Sequence, residues 1–319
     1  MQPNVFLFLS VEPKSIIVAA GFADGSLLRN VEFLSTVPHL SVANLQKLPY
    51  GIDMSPLLVL HGEDLLLCGG SSNNQNKCLI YQNGWQEHST LYQSRTHASI
   101  VTTDYRTYIF GGIQSEETFE FLSKDSKVWE KGKTNIPGGF IGGCAVKVPG
   151  KPEILLIGGL SNSKRILKFT FMEFQMSKGR EKIGFFIETF EEMDIALQKD
   201  RKDHTCSIIP GTNLTVIAGG KHIEKKHDST EILNLANKTI TQGNPLNTKR
   251  RSHGMALITI NKENRIAVFG GINGNEESLN TVETLNPKTR KWENSDLKLK
   301  EAKSLFGYIS VPHDFLSNL

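Results

Sequence analysis

Cysteine is scarce in this chain, four residues in 319, which excludes a small disulfide-dense scaffold. No apolar run approaches the roughly 20 residues that a membrane-spanning helix needs. Charge of one sign is also missing: 36 basic side chains face 33 acidic ones, for a net charge of +3. That balance lacks the basic excess of a nucleic-acid binder. No apolar stripe of period 3.6 runs for a useful length, apart from a possible helical turn in 191–199. The first residues carry an apolar run of only five, Val5-Phe6-Leu7-Phe8-Leu9, without a basic segment or a small-residue cleavage site. This is a poor secretory leader and favours a cytoplasmic protein. Phosphate-binding loops are absent as well. The glycine-rich Gly138-Gly139-Phe140-Ile141-Gly142-Gly143 precedes an expected strand, not the helix that a phosphate cradle requires.

What the chain has is a device used repeatedly. A short apolar run ends in two glycines at Leu65–Gly70, Tyr108–Gly112, Ile154–Gly159, Val216–Gly220 and Arg265–Gly271, with a worn copy at Ile16–Gly21 that ends Ala20-Gly21. The final glycines lie 49, 42, 47, 61 and 51 residues apart. A period near 50 signals a repeat architecture. Before each full glycine pair lies another β-type run: Ser55–Leu60, His97–Thr102, Gly142–Val148, His204–Ile209 and His253–Ile260. After each pair comes a polar turn, a third run, a tight turn and a fourth. In two repeats a Trp stands seven residues after a Leu, Leu122 to Trp129 and Leu285 to Trp292. Runs of four to seven residues separated by turn chemistry predict antiparallel strands, four to a repeat.

The order strand, Gly-Gly, strand, turn, Trp, then an Arg followed closely by His resembles the kelch motif, over almost the whole chain. Arg95-Thr96-His97, Arg201-Lys202-Asp203-His204 and Arg251-Ser252-His253 carry its last part. Kelch repeats usually have Tyr where this chain has Leu122 and Leu285. The resemblance implies an all-β, six-bladed β-propeller whose ring is closed by the C-terminal strand in blade 1. Residues 302–311 would supply the innermost strand beside 16–20. The expected layout is an N-terminal extension at 1–14, the propeller at 15–312 and a C-terminal tail at 313–319. The longest repeat interval places an extended outer hairpin with a charged tip after Arg165.

Candidate chemistry is sparse. His97, His204 and His253 would face the central channel near one rim if they lined inner strands, but ligands spread around a ring sit too far apart to share an ion. We therefore assign no metal, no cofactor and no catalytic residue. Cys68 and Cys78 lie on successive strands, and Cys144 and Cys206 hold near-equivalent places in neighbouring repeats; they are either four buried thiols or one or two disulfides. Cys68-Gly69-Gly70 followed by Cys78 is similar to some invertebrate extracellular kelch proteins, and Asn213-Leu214-Thr215 and Asn237-Lys238-Thr239 are glycan acceptor patterns. A secreted alternative thus stands beside the cytoplasmic one. The resemblance implies a non-enzymatic, monomeric module that binds a protein partner through loops at one face, with no nucleic acid and no membrane involved. Arg95, Arg201, Arg250 and Arg251, with His97, His204 and His253, are the rim candidates, the arginines suited to an acidic segment. The rival is a secreted propeller that binds carbohydrate or acts as an oxidase or mutarotase.

Overall fold

A computed structural model describes residues 14–36, 45–52, 54, 56–70, 76–159, 164–178, 181–223 and 225–317. Apolar runs that end in glycine pairs become the second strand of each of six antiparallel sheets: Lys14–Ala19, Asp64–Cys68, Arg106–Phe110, Glu153–Ile157, Leu214–Ala218 and Glu263–Phe269. These runs are nearly continuous in apolar residues because both faces of each sheet are buried. In the first of them Ile16 and Val18 pack toward blade 6, while Ile17 and Ala19 pack toward blade 2. The same alternation yields six buried clusters, one between each pair of neighbouring blades.

The innermost strands are Leu57–His61, Ser99–Thr102, Cys144–Lys147, Thr205–Ile208, Gly254–Ile260 and Gly307–Pro312, and each neighbours the next in a closed cycle. The last of these belongs to the first blade. It pairs antiparallel with Lys14–Ala19, from Lys14 opposite Pro312 to Ala19 opposite Gly307. The polypeptide therefore closes its own ring, which removes exposed sheet edges at the seam. The fold is the all-β, six-bladed propeller that the repeats imply.

Two details differ from expectation. Blade 1 has three strands among the described residues, not four, and residues 1–13 and 37–44 lie outside them. The helical turn expected in 191–199 is absent: Glu191 and Glu192 end a strand and the following residues are irregular. Here the amides of Gln198 and Lys199 donate to the Glu231 carboxylate, at 2.6 and 3.2 Å, which replaces helical backbone bonds. The segment after Pro312 forms a short 3-10 turn, Asp314–Ser317, and Phe315 packs against the cluster between blades 1 and 2.

Blade 4 carries the extended hairpin, Ile166–Lys178 paired with Glu181–Glu192. Its base is held against blade 3 by Phe169 and Phe190, ring centroids 4.9 Å apart, among Tyr108, Phe110 and Phe119. Glu188 pairs with Arg106 at 3.4 Å, and the Arg106 guanidinium lies 4.0 Å from the centre of the Phe121 ring. Trp129 and Trp292 reach back toward the preceding blade. Trp129 packs with Leu57 and Cys68 of blade 2, and its indole N–H donates to Ser89 Oγ at 3.0 Å. Trp292 packs with Val216 and Leu246 of blade 5.

All four cysteines are paired. Cys68–Cys78 crosses two adjacent strands of blade 2, and Cys144–Cys206 joins the innermost strands of blades 4 and 5.

The glycine pairs sit where blades touch. Gly270 has φ +62°, and a Cβ there would lie 2.7 Å from Phe306 Cε1 and 2.9 Å from the Lys303 carbonyl oxygen of blade 1. Blade 1 holds Ala20 at the matching place with φ 64°, so a single methyl is accommodated in one copy. Gly270→Val combines a disfavoured conformation with a β-branched side chain, and is expected to cost about 2–4 kcal/mol. Denaturant unfolding measures it; a midpoint equal to wild type contradicts this packing.

Candidate functional site

Each blade meets the next through one repeated hydrogen bond. The N–H of the second glycine donates to a carbonyl just before the next blade's innermost strand: Gly21 to Ile52, Gly70 to Arg95, Gly112 to Phe140, Gly159 to Arg201, Gly220 to Arg250 and Gly271 to Lys303, over 2.9 to 3.3 Å. These carbonyls put the six repeats in register.

That register relocates the arginine candidates. Arg95, Arg201 and Arg250 are 0% exposed, and each is consumed inside its own blade. They pair with Glu120, Glu231 and Glu283 at 3.0, 2.7 and 2.7 Å. Each also donates to the carbonyl of the first glycine, Gly111, Gly219 or Gly270. Each glutamate in turn accepts two backbone N–H groups, from Tyr92 and Gln93, Gln198 and Lys199, or Asn247 and Thr248. Burial pulls the three guanidinium groups down from their ordinary pKa, and the facing carboxylate pushes them back up. None of the three is available to a partner, which corrects the expectation that they line a rim.

Blade 1 uses Lys303 with Glu32, 2.5 Å apart and equally buried. Blades 2 and 4 fill the same two places with Ile52 and Leu79, and with Phe140 and Leu167. Leu79 and Leu167 stand opposite the residue two before the first glycine, as Glu32, Glu120, Glu231 and Glu283 do. The chain thus holds a cation with a carboxylate, or two apolar residues, and no mixture. A lone buried charge would be costly, whereas a matched pair of either kind is stable.

Two residues beyond each carbonyl lies a second ring. Met54, His97, Gly142, Asp203, Ser252 and Leu305 all have φ between +51° and +64°. Their backbones join successively: the amides of His97, Gly142, Asp203, Ser252 and Leu305 donate to the carbonyls of Met54, His97, Gly142, Asp203 and Ser252, at 2.6 to 3.2 Å. This collar narrows one mouth of the central channel. Below it is a cavity of about 360 Å³ lined by Ser99, Cys144, Thr205, Cys206, Met255 and Tyr308 among others. Left-handed backbone at non-glycine residues costs of order 1 kcal/mol each and persists only where surroundings impose it.

The histidines therefore divide. His97 is a collar residue, two after Arg95. His204 and His253 are three after Arg201 and Arg250, one place further along. The His253 ring lies against Gly219 of the preceding blade, and its Nε2 is 2.7 Å from Thr205 Oγ1. Phe306 holds the same position in blade 1. Burial pushes His204 down to about 3 and His253 well below its ordinary value. His97 is also lowered, chiefly by burial, with Asp203 opposing and Lys202, Arg251 and Lys221 adding to the effect. Among the described residues no group of three or more His, Cys, Asp or Glu is placed to hold a metal ion.

Of the rim candidates, Arg251 alone among the arginines stays near the surface, pairing with the exposed Glu276 at 3.2 Å. The Arg-x-His spacing places Arg251 level with Arg95; the carbonyl register makes it equivalent to Thr96 and Lys202. The signal for the true register was the Thr118-x-Glu120, Ser229-x-Glu231 and Thr281-x-Glu283 series. No motif in the sequence singles out Lys202 and Lys221. They face each other across an isolated antiparallel bridge, with N–H···O bonds of 2.9 and 2.8 Å.

A family model of the kelch motif matches residues 263–294, the second to fourth strands of blade 6. The six-bladed propeller carries a kelch motif in its sixth blade. No curated protein matches it significantly. The kelch fold is typical of protein-interaction modules, and five further antiparallel sheets complete the ring that contains the matched blade.

The pairing rule of the buried sites is testable in blade 6. Glu283→Leu strands Arg250 and is expected to cost about 3–5 kcal/mol. Arg250→Ile combined with Glu283→Leu, the pair found in blade 2, should be clearly more stable than Glu283→Leu alone. A double-mutant cycle in urea measures the coupling; additive losses contradict the rule.

Proposed function

We propose that the kelch propeller is a non-enzymatic docking module, and that an acidic protein segment binds its collar face over blades 5 and 6. The observation that carries this reading is the opposition of Lys202 and Lys221. Like charges directly across an antiparallel pair are unfavourable, and neither lysine has an ion-pair partner among the described residues. Arg251 adds a third cation acting on the same collar residue, His97, while Asp203 supplies the opposing charge. A carboxylate-bearing segment laid beside the collar would relieve the repulsion and gain charge-assisted hydrogen bonds. The collar supports the reading in a second way, because its backbone is ordered before any partner arrives and binding need not bear that entropy.

No helix among the described residues is long and apolar enough to cross a membrane.

Fluorescence anisotropy with a labelled glutamate-rich peptide tests the proposal. Wild-type protein should bind it, more weakly as salt rises. Lys202→Glu with Lys221→Glu and Arg251→Glu should lower affinity at least about tenfold, or 1.4 kcal/mol. Lys124→Glu, at the opposite face of blade 3, should leave it unchanged. Equal losses in both variants, or binding indifferent to the triple reversal, would overturn the assignment of this face.

A further inference from the structure

We propose that Asn237 carries an N-linked glycan and that this kelch propeller matures in an oxidising, glycosylating compartment. Asn237-Lys238-Thr239 occupies the exposed tip of the outer turn of blade 5, between the strands Thr230–Asn234 and Thr239–Gln242. The turn is built to present it. Asn234 Oδ1 accepts the N–H groups of Ala236 and Asn237, at 2.9 and 3.4 Å, and Lys238 adopts φ 54°. Thr239 Oγ1 donates to Asn237 Oδ1 at 2.7 Å. The acceptor amide is thereby oriented by the hydroxyl that the tripeptide requires. The carbonyl side of Asn237 is engaged, and no protein group among the described residues accepts from its Nδ2. Ala236, Lys238 and Thr239 are exposed around it, so a bulky chain meets no neighbour at the tip.

An independent observation supplies the compartment. All four cysteines are in disulfides, one of them joining two blades across a sequence separation of 62. Stable disulfides persist where the redox environment is oxidising, and are rare in the reducing cytosol. The neighbouring Asn213-Leu214-Thr215 is different: Thr215 is fully buried within a strand, its hydroxyl without a partner.

The modification is a group transfer without net redox change. A C–N bond forms between Asn237 Nδ2 and the anomeric carbon of an oligosaccharide carried on a polyprenyl diphosphate lipid. The anomeric C–O bond breaks, the lipid diphosphate leaves, and one amide proton passes to a base of the transferring enzyme.

The test uses full-length protein purified from its native cells. It is alkylated without reductant, then treated with peptide-N-glycosidase in heavy-oxygen water and mapped by mass spectrometry. The expected result is Asn237 converted to heavy-labelled Asp and no cysteine alkylated. Unmodified Asn237, or alkylation of any of the four cysteines, would overturn the proposal. Re-expressed in the same cells, Thr239→Ser should keep the label and Thr239→Ala should lose it while both disulfides stay intact; a Thr239→Ala protein that is still labelled also contradicts it.

Discussion

Six carbonyl groups hold this molecule together: those of Ile52, Arg95, Phe140, Arg201, Arg250 and Lys303, each accepting the second glycine N–H of the blade before. The bond crosses from blade to blade at the point of closest approach, so a side chain on the glycine has nowhere to go. The same six residues send their side chains into the blade they begin, and two residues later the chain enters the left-handed collar. One residue position thus couples ring closure, blade filling and channel shape. The doubled glycine is the sequence trace of that coupling.

Beneath each carbonyl is a buried site that needs filling, and the chain uses two solutions for it. In four blades a cation meets a carboxylate; three of these carboxylates each accept two backbone N–H groups, and Glu32 of blade 1 accepts one, from Lys300. In two blades the same places hold Ile52 with Leu79, and Phe140 with Leu167, each pair within one buried cluster. Burying opposite charges gains little over burying matched apolar groups, because desolvation offsets most of the attraction. Within one chain the two solutions coexist at equivalent positions, as expected if the site selects for matched partners and is indifferent to their chemistry. The cations so placed are structural, and the proposed docking face draws on those one residue further on, Lys202 and Arg251, with Lys221 across the bridge.

Much of the fold was legible in the residues. Glycine pairs marked the second strands, the Leu-to-Trp spacing marked the outer turn, and the apolar run near 302–311 foretold ring closure. The long interval after Gly159 foretold the extended hairpin. The candidate site was less legible. Arg95, Arg201 and Arg250 look like surface residues because arginine is seldom fully buried, and their glutamate partners lie 25 to 33 residues away. His97, like His204 and His253, closely follows an arginine. A one-residue difference in that spacing separates the collar from the space between blades, where Phe306 does the same packing. The Ser/Thr-x-Glu series carries the register that pairs each arginine with its glutamate. The collar itself left no sequence signal, since Met54, Ser252 and Leu305 are not residues that favour φ > 0.

The proposed docking face and the proposed acceptor Asn237 lie at opposite ends of blade 5, the first beside the glycine pairs and the second at the outer turn. The six carbonyl bonds join the blades into one cycle. Amide hydrogen exchange, resolved at Gly21, Gly70, Gly112, Gly159, Gly220 and Gly271, examines this directly. If the carbonyl bonds close a single cycle, all six amides are protected alike and exchange only through global opening. Fast exchange at Gly21 or Gly271, with the other four still protected, would mean the ring opens at its seam and would contradict the account.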